Sequence, residues 1–256
     1  MDLKLRGKKA VVTGASRGIG RAIADLLAAE GADVAICARH ADQVEAAVAS
    51  FKAKGVNAFG ATVDIADGPA FKDFIERSAD ALGGIDILVS NASALGSGAG
   101  EEQWKALFDI DIMGAVRAFD AAKPHLVKSA EANGDAAFVI ISSVSAAEAS
   151  NVSAYGAMKA SLIHYAKGVA RENAPLKVRA NVVSPGTVFF EGGVWGNAKA
   201  NAPQFFDMMI KRNPTGRMAT PEEIANATVF LASPLSGFTT GVNLVVDGAI
   251  SQRVNF

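Results

Sequence analysis

The sequence predicts an α/β fold in which helices cover both faces of a parallel sheet of about seven strands. Two observations support this prediction. Short runs rich in valine and isoleucine alternate with longer segments of 3.6-residue periodicity from the first residues onward. Half of the 256 residues are hydrophobic and 20% are charged. This balance excludes a disordered chain and favours one large apolar core.

Each predicted strand is a short apolar run bounded by polar or turn-forming residues. The strands are expected at residues 9–13, 33–37, 56–62, 85–90, 136–142, 177–183 and 243–246. The predicted helices have apolar residues every three or four positions. They are expected at residues 19–30, 41–53, 69–82, 102–122, 153–172 and 221–232. Because one helix separates each pair of successive strands, the strands can pair in parallel and the sheet is doubly wound.

Residues 187–214 interrupt this alternation. The segment is roughly twice as long as a usual connection in such folds. It carries a dense group of aromatic side chains, namely Phe189, Phe190, Trp195, Phe205 and Phe206. We predict a lid over the substrate, with a subunit contact as the alternative interpretation. No linker or repeat divides the chain, so residues 1–256 are expected to form a single domain.

Charge and cysteine content narrow the classes of function. The 25 basic and 26 acidic residues give a net charge of −1, so no general attraction to nucleic acid or to an anionic membrane is expected. The single cysteine, Cys37, cannot close an intrachain disulfide, and no Cys/His cluster suggests a metal site. A reducing, cytoplasmic location is therefore predicted.

Two segments were considered as targeting or membrane signals. The N-terminus has no apolar leader, so secretion is not expected. The uncharged stretch 224–246 contains proline, glycines and several polar residues. We predict that it forms a helix end, a turn and a strand, and that it does not span a membrane.

A glycine-rich turn follows the first predicted strand. Gly14 can form the tight turn, Gly18 lets a pyrophosphate approach the backbone, and Gly20 permits close packing of the helix on the strand. The free N–H groups and the dipole of the following helix favour an anion. The turn therefore predicts a dinucleotide site in a Rossmann-type domain. Its spacing, G-x-x-x-G-x-G, differs from G-x-G-x-x-G, and an ordinary glycine-rich turn remains the alternative.

The second strand ends in an arginine, where a protein that prefers NAD usually has an acidic residue. Arg39, together with Arg17 in the glycine-rich turn, can bind a 2′-phosphate. We therefore predict NADP (NADPH) as the cofactor. Either arginine can instead be a solvated surface charge.

Tyr155 and Lys159 stand four residues apart in the helix predicted at 153–172. The rise of about 6 Å places them on one helix face. An ammonium about 4 Å from a phenolate stabilises it by roughly 4 kcal/mol at an effective dielectric near 20. Such stabilisation lets a tyrosine work as an acid-base catalyst near neutral pH, and a serine hydroxyl beside it can orient a carbonyl oxygen.

These motifs together resemble the short-chain dehydrogenase/reductase family, and most closely its 3-oxoacyl-carrier-protein reductase-like branch. The similarity extends over essentially the whole chain. It includes TGASRGIG at 13–20, Asp64 after the third strand, Asn91-Ala92-Ser93 after the fourth, the Ser/Tyr/Lys set, and NVVSPG at 181–186.

The resemblance implies a reaction and a set of roles. The protein would move a hydride between a nicotinamide cofactor and a carbonyl or secondary alcohol with an apolar body. Tyr155 would be the acid-base residue, Lys159 would bind ribose and assist the tyrosine, and Ser143 would steer the substrate. The implied cofactor contacts are Gly14, Ser16, Arg17, Gly18, Ile19, Gly20, Arg39, Asp64, Ile65, Asn91, Tyr155, Lys159, Pro185, Gly186 and Val188. The implied substrate contacts are Ser93, Ser143, Phe189 and Trp195.

The resemblance also implies a homodimer or a homotetramer in which the helices 102–122 and 153–172 pack against a symmetry mate. The choice of catalytic serine stays open between two neighbours. Counting thirteen residues back from the tyrosine selects Ser142, whereas the I-S-S-V motif selects Ser143, which we favour.

Two positions depart from the family pattern. Ser93 stands where the family often has glycine, and Asp111 stands where it usually has asparagine. An ionised Asp111 near Lys159 opposes phenolate formation by several tenths to a few kcal/mol. The sequence therefore predicts that Asp111→Asn keeps or raises turnover and moves the basic limb of the pH profile downward. Loss of activity would give the carboxylate a role of its own, so Asp111 belongs to the candidate catalytic set.

Two other functions are compatible with parts of the sequence. Residues 14–18 read G-x-S-x-G, which suggests a hydrolase with Ser16 as nucleophile. This motif follows the first strand, and the last histidine, His164, comes too early for the hydrolase order. An NADP(H) sensor or partner-binding protein without turnover is the stronger rival, because Asp111 departs from the catalytic pattern.

Overall fold

The computed structural model describes residues 2–96, 98, 100–149 and 151–254. Its strands are β1 (Lys9–Thr13), β2 (Asp33–Ala38), β3 (Ala58–Thr62), β4 (Ile87–Ser90), β5 (Ala136–Ile141), β6 (Val178–Pro185) and β7 (Asn243–Val246). They form one parallel sheet in the order β3-β2-β1-β4-β5-β6-β7. The predicted single-domain Rossmann-type sheet is confirmed. The strand order reverses between β1 and β4, where ligands bind in folds of this kind.

The helices connect the strands as expected, with one internal break. They are α1 (Gly18–Ala29), α2 (Ala41–Lys52), α3 (Gly68–Leu82), α4 (Glu101–Leu107), α5 (Met113–Asn133), α6 (Ala154–Asn173), α7 (Val194–Asn201), α8 (Pro203–Arg212) and α9 (Pro221–Ala232). The single helix predicted at 102–122 is wrong. A π turn, Phe108–Ile112, separates α4 from α5, and α5 continues past Pro124 to Asn133. One extra residue in a helical turn is not visible in apolar periodicity, and π turns are frequent at functional sites.

The sheet separates two apolar layers. On one face α3, α5 and α6 pack on the strands, and on the other face α1, α2 and α9 do so. The side chains of β1 alternate between the layers, with Val11 in the first and Val12 in the second. Residues 187–214 contain two short helices, α7 and α8, which sequence periodicity did not predict. The two layers leave the carboxyl ends of the strands as the place for a site.

No helix of the described ranges has both the length and the apolar character that crossing a bilayer requires.

Cys37 provides a test of how firmly the carboxyl end of β2 is packed. Its side chain is fully buried near the end of β2, and this burial raises the pKa of the thiol to about 12, against a smaller opposing effect of the Gly14 backbone. The raised pKa keeps the thiol neutral at pH 8. Because only the thiolate is a good nucleophile, the folded protein is expected to be unreactive at this residue. We expect iodoacetamide to label the protein in denaturant and to leave the folded protein unlabelled, as measured by mass spectrometry. Labelling of both states at the same rate would contradict this expectation.

Candidate active site

The predicted site residues meet at the carboxyl edge of the sheet. The glycine-rich turn follows β1, Asn91 follows β4, Ser143 follows β5 and Gly186 follows β6. Because all these strands are parallel, their carboxyl ends lie at one edge. The fold therefore brings together motifs that are far apart in the chain.

The turn after β1 has room for glycine only. Gly14 and Gly18 have φ angles of +64° and +57°, in the left-handed region that favours glycine. A Cβ on Gly14 would lie 2.9 Å from Cα of Ala92, and one on Gly20 would lie 2.3 Å from Nδ2 of Asn91. Glycine is therefore required at these positions by close packing against Ala92 and Asn91.

Asn91 holds this turn in place. Its Nδ2 donates to the carbonyl oxygens of Thr13 and Gly14, at 3.1 and 3.0 Å. The backbone N–H groups of Asn91 and Ala92 donate to Oγ1 of Thr13, at 3.1 and 3.2 Å. The amide side chain thus supports the glycine turn, whereas the resemblance implied that Asn91 contacts the cofactor.

The start of α1 is suited to an anion. Among the described residues, no side chain caps this helix and no acidic residue lies in its first turn. Its first N–H groups and the helix dipole therefore attract negative charge. Arg17, which precedes the helix, is exposed, and its Nη1 donates to the carbonyl oxygen of Gly192 at 2.9 Å. The glycine turn is thus tied to the segment predicted as a lid.

Phe190 lies on the glycine turn, a contact that the sequence did not predict. A Cβ on Gly18 would come within 2.5 Å of the ring, and one on Gly193 within 2.6 Å. The ring therefore packs between two bare glycines. The glycine pair that follows the aromatic residues, Gly192-Gly193, is the sequence signal that could have indicated this close approach.

The other predicted cofactor residues differ in how far their side chains are exposed to solvent. Arg39 is exposed just after β2, and Asp64 is exposed after β3. Ser16 donates from Oγ to Oε1 of Gln43 at 2.9 Å. The side chain of Ile65 is buried in the core, against Gly114 of α5. Any contact of Ile65 with a cofactor must therefore come from its backbone.

Lys159 is buried at the centre of the catalytic set, with only 3% of its side chain exposed. Its Nζ lies 3.0 Å from Oδ1 of Asp111, donates to the carbonyl oxygen of Ile141 at 3.1 Å, and lies 5.5 Å from the ring centroid of Tyr155. A lysine ammonium has three N–H donors. Two of them bind partners among the described residues, and one N–H has no partner there.

The Asp111 carboxylate is fully buried in the π turn between α4 and α5. Ser93 donates from Oγ to Oδ1 at 2.7 Å, and the backbone N–H of Ala94 donates to Oδ2 at 2.9 Å. With Lys159, three donors therefore converge on this carboxylate. The sequence placed Asp111 near Lys159 and Ser93 near the substrate, and it did not predict that Ser93 binds Asp111.

The two candidate serines have different partners. Ser142 donates from Oγ to the carbonyl oxygen of Lys159 at 2.8 Å, so its proton is already used inside the protein. Oγ of Ser143 accepts from the N–H of Ser145 at 3.1 Å, and its own proton has no acceptor among the described residues. This geometry supports the choice of Ser143, which stays a prediction.

Tyr155 stands in the first turn of α6, close to the loop after β5. Ser153 caps this helix by accepting from the N–H of Gly156 at 3.2 Å. A Cβ on Gly156 would lie 2.7 Å from the carbonyl oxygen of Ser145. The glycine therefore lets the first turn of α6 approach the backbone that carries Ser143.

The loop after β6 closes the other side of the cleft. A Cβ on Gly186 would lie 2.8 Å from Cβ of Asp247. Val188 is buried and pairs with Ala219 in an isolated bridge. Oγ1 of Thr187 is buried without a hydrogen-bond partner among the described residues. Unpartnered buried hydroxyls are rare in proteins, and this one stands at the carboxyl edge that carries the other candidate residues.

The aromatic residues of 187–214 pack on one another. The rings of Trp195 and Phe205 are stacked at 5.8 Å between centroids, and those of Phe189 and Phe206 meet edge to face at 5.7 Å. The ammonium of Lys199 lies 5.3 Å from the Phe189 ring. The segment is thus a small apolar cluster carried by α7 and α8.

The arrangement around Ser16 does not support the hydrolase hypothesis. Ser16 binds Gln43, and no histidine within the described ranges contacts it. His40 and His164 are exposed, and His125 contacts Glu76.

The chain is similar to known dehydrogenases and reductases over almost its whole length. The profile of the family described as enoyl-(acyl carrier protein) reductase matches residues 14–251. Isoepoxydon dehydrogenase patN of Penicillium expansum is 34% identical, covering 98% of both chains. A 3-oxoacyl-[acyl-carrier-protein] reductase of Staphylococcus epidermidis is 33% identical, covering 95% of this chain and 98% of its own.

Solved structures extend the comparison to bound cofactors. L-sorbose reductase from Gluconobacter frateurii, solved with NADPH and L-sorbose, has a TM-score of 0.90 at 31% identity and covers 99% of this chain and 100% of its own. A short-chain oxidoreductase from Pseudomonas aeruginosa PAO1, solved with NADPH and described as containing an atypical catalytic centre, has a TM-score of 0.88 at 31% identity, with coverages of 97% and 99%.

Proposed function

The chain belongs to the short-chain dehydrogenase/reductase family, in its 3-oxoacyl-carrier-protein reductase-like branch, and we propose that it is an NADP(H)-dependent oxidoreductase. It interconverts a carbonyl group and a secondary alcohol on a small molecule with an apolar body. The observation that carries this proposal is the pair Tyr155 and Lys159 at the same sheet edge as the bare glycine turn.

The residues present fit a dinucleotide. The turn carries no side chains of its own at Gly14, Gly18 and Gly20, the start of α1 favours an anion, and Thr187 has a buried hydroxyl without a partner among the described residues. The residues proposed to hold the cofactor are those named from the resemblance, with Ile65 acting through its backbone. When bound, the nicotinamide supplies a hydride to the carbonyl carbon or takes one up from the alcohol.

The chain's own groups handle the proton. Tyr155 donates its phenolic proton to the carbonyl oxygen in reduction and removes it from the alcohol in oxidation. Lys159 stabilises the resulting phenolate through its charge and binds ribose through its remaining N–H. Ser143 donates a hydrogen bond to the substrate oxygen and so orients it.

We propose that the segment 187–214 is a lid that excludes water from the active site. Phe189 and Trp195 are proposed to contact the apolar body of the substrate, and closure of α7 and α8 keeps water from the reacting carbon.

A panel of ketones with NADPH tests the function. We expect NADPH oxidation with at least one apolar ketone. The rival function, an NADP(H) sensor, predicts NADPH binding with no turnover of any ketone or alcohol in the panel.

Arg39 provides a test of cofactor choice. Charge-assisted hydrogen bonds contribute about 1.5–3 kcal/mol, so Arg39→Asp is expected to weaken NADPH binding by about 10- to 100-fold. NADH binding should stay within about two-fold, because NADH lacks the phosphate. Fluorescence titration measures both affinities, and Arg171→Asp on the exposed surface of α6 is the matched control. Equal weakening of both cofactors would contradict the 2′-phosphate assignment.

We also propose a homodimer or homotetramer in the cytoplasm. The buried single Cys37 suits a reducing compartment. Large exposed apolar side chains suit a subunit interface, and they include Phe108 in the π turn, Leu244 in the edge strand β7 and Phe238 just before that strand.

A further inference from the structure

We propose that Ser93 is a positioning residue, which fixes the Asp111 carboxylate so that this carboxylate in turn holds the Lys159 ammonium in its catalytic place. The inference rests on the proposed function. It replaces the expectation that Ser93 contacts the substrate.

The hydroxyl of Ser93 has both of its roles assigned. Its oxygen accepts from the N–H of Leu95 at 3.1 Å, and its proton is donated to Oδ1 of Asp111 at 2.7 Å. The accepted bond fixes where the hydroxyl points, because it comes from the backbone two residues later in the same loop. The donated proton is therefore committed to the carboxylate and not to a substrate oxygen.

The Asp111 carboxylate needs these partners because its side chain is fully buried. A buried charge is tolerated only when it is paired and hydrogen-bonded. Ser93 and Lys159 share Oδ1, and the N–H of Ala94 occupies Oδ2. The loop after β4 thus fixes both oxygens of a carboxylate that belongs to the π turn.

Lys159 depends on that orientation. Its ammonium is held by the carbonyl oxygen of Ile141 from one side and by Asp111 from another, at 3.1 and 3.0 Å. With two donors fixed, the direction of the third is fixed as well. If the carboxylate rotates, the ammonium moves relative to Tyr155, whose ring centroid lies 5.5 Å away. Ser93 therefore affects the chemical step without binding the substrate and without taking part in the proton transfer from Tyr155.

Ser93→Ala tests the proposal by a split between kcat and KM. We expect kcat for ketone reduction to fall about tenfold, since small misplacements of catalytic groups reduce rates strongly. The KM of the ketone should stay within about two-fold, because a positioning residue does not bind substrate. Ser93→Thr, which keeps the hydroxyl, should restore most of kcat.

Ser129→Ala is the matched control. Ser129 donates from Oγ to Oδ1 of Asp86 at 2.5 Å, and Asp86 is a buried carboxylate paired with Lys8. This trio repeats the chemistry of Ser93, but Asp86 precedes β4 and so lies at the opposite sheet edge. Ser129→Ala and Ser93→Ala are both expected to lower the Tm of the apoprotein by several degrees, but Ser129→Ala should leave kcat unchanged.

A double-mutant cycle decides whether the two residues act as one unit. The Tm of the apoprotein is measured for Ser93→Ala, Asp111→Asn and the double variant. We expect the Tm loss of the double variant to be clearly smaller than the sum of the single losses. Additive losses would overturn the proposal, as would a rise in KM at unchanged kcat or no change in kcat for Ser93→Ala.

The cycle also separates this inference from the proposed function. If the parent enzyme reduces no ketone, the proposed function fails, and coupling in the apoprotein still decides whether Ser93 fixes Asp111. If the parent is active and the cycle is additive, the positioning role alone fails.

Discussion

Tyr155→Phe is expected to lower kcat/KM for ketone reduction by about 10²- to 10⁴-fold, the usual contribution of a positioned acid-base group. The change removes one oxygen and with it the proton that the carbonyl oxygen must receive. The Lys159 ammonium then lies beside a phenyl ring, which cannot form the negatively charged phenolate. Steady-state kinetics with NADPH and the most active ketone measure the effect, and fluorescence titration should show that NADPH still binds.

The chain contains a matched control for this change. Tyr165 stands on the same helix, α6, and is partly buried against the core. Burial, Asp120 and Glu172 raise the pKa of its phenol, so it stays protonated and takes no part in proton transfer. Tyr165→Phe should leave turnover within about two-fold. If both phenylalanine variants reduce ketones at the rate of the parent, the proposed acid-base role of Tyr155 is wrong.

Asp111→Asn is expected to lower the free energy of unfolding by about 3–5 kcal/mol, as measured when one partner of a buried ion pair is removed. The carboxylate accepts from three donors, whereas an asparagine side chain offers one acceptor oxygen. Its NH₂ group would face either the N–H of Ala94 or the ammonium of Lys159. The buried ammonium also loses its countercharge.

This expectation differs from the one based on sequence, in which Asp111→Asn keeps or raises turnover. Electrostatic repulsion of the phenolate is the only effect visible from sequence, whereas the geometry adds three donors that the single oxygen of asparagine cannot all satisfy. We therefore expect turnover to fall as well. Chemical denaturation and kcat at a temperature well below the Tm measure the two effects.

Asp135→Asn separates stability from catalysis. Asp135 pairs with the buried Arg179 at 2.6 Å, at the opposite end of β5 from the catalytic residues. Its replacement should lower stability and leave turnover unchanged. An Asp111→Asn protein with the stability and turnover of the parent would restore the sequence-based expectation.

Local patterns in the sequence carried much of the site. The glycine spacing after β1 indicated a turn without side chains, and the structure shows why, since a Cβ on Gly20 would lie 2.3 Å from Nδ2 of Asn91. Tyr155 and Lys159 lie four residues apart, so one helix brings them together. Each of these predictions depends on residues within one turn or one helix.

The contacts that the sequence missed join distant segments. Arg17 binds a carbonyl oxygen 175 residues later in the chain, and Phe190 packs on Gly18. The π turn that carries Asp111 has the same apolar pattern as an ordinary helix. The choice between Ser142 and Ser143 depends on which hydroxyl the Lys159 carbonyl accepts from.

The sequence by itself determined the alternation of strands and helices outside 102–133 and 187–214, the parallel sheet, the glycine turn and the tyrosine-lysine pair, because periodicity and spacing act over a few residues. Only the tertiary structure decided that Ser93, Asp111 and Lys159 form one hydrogen-bonded unit. These three residues come from the loop after β4, the π turn and α6. Packing of those elements sets their distances to within an ångström, and no local pattern records that packing.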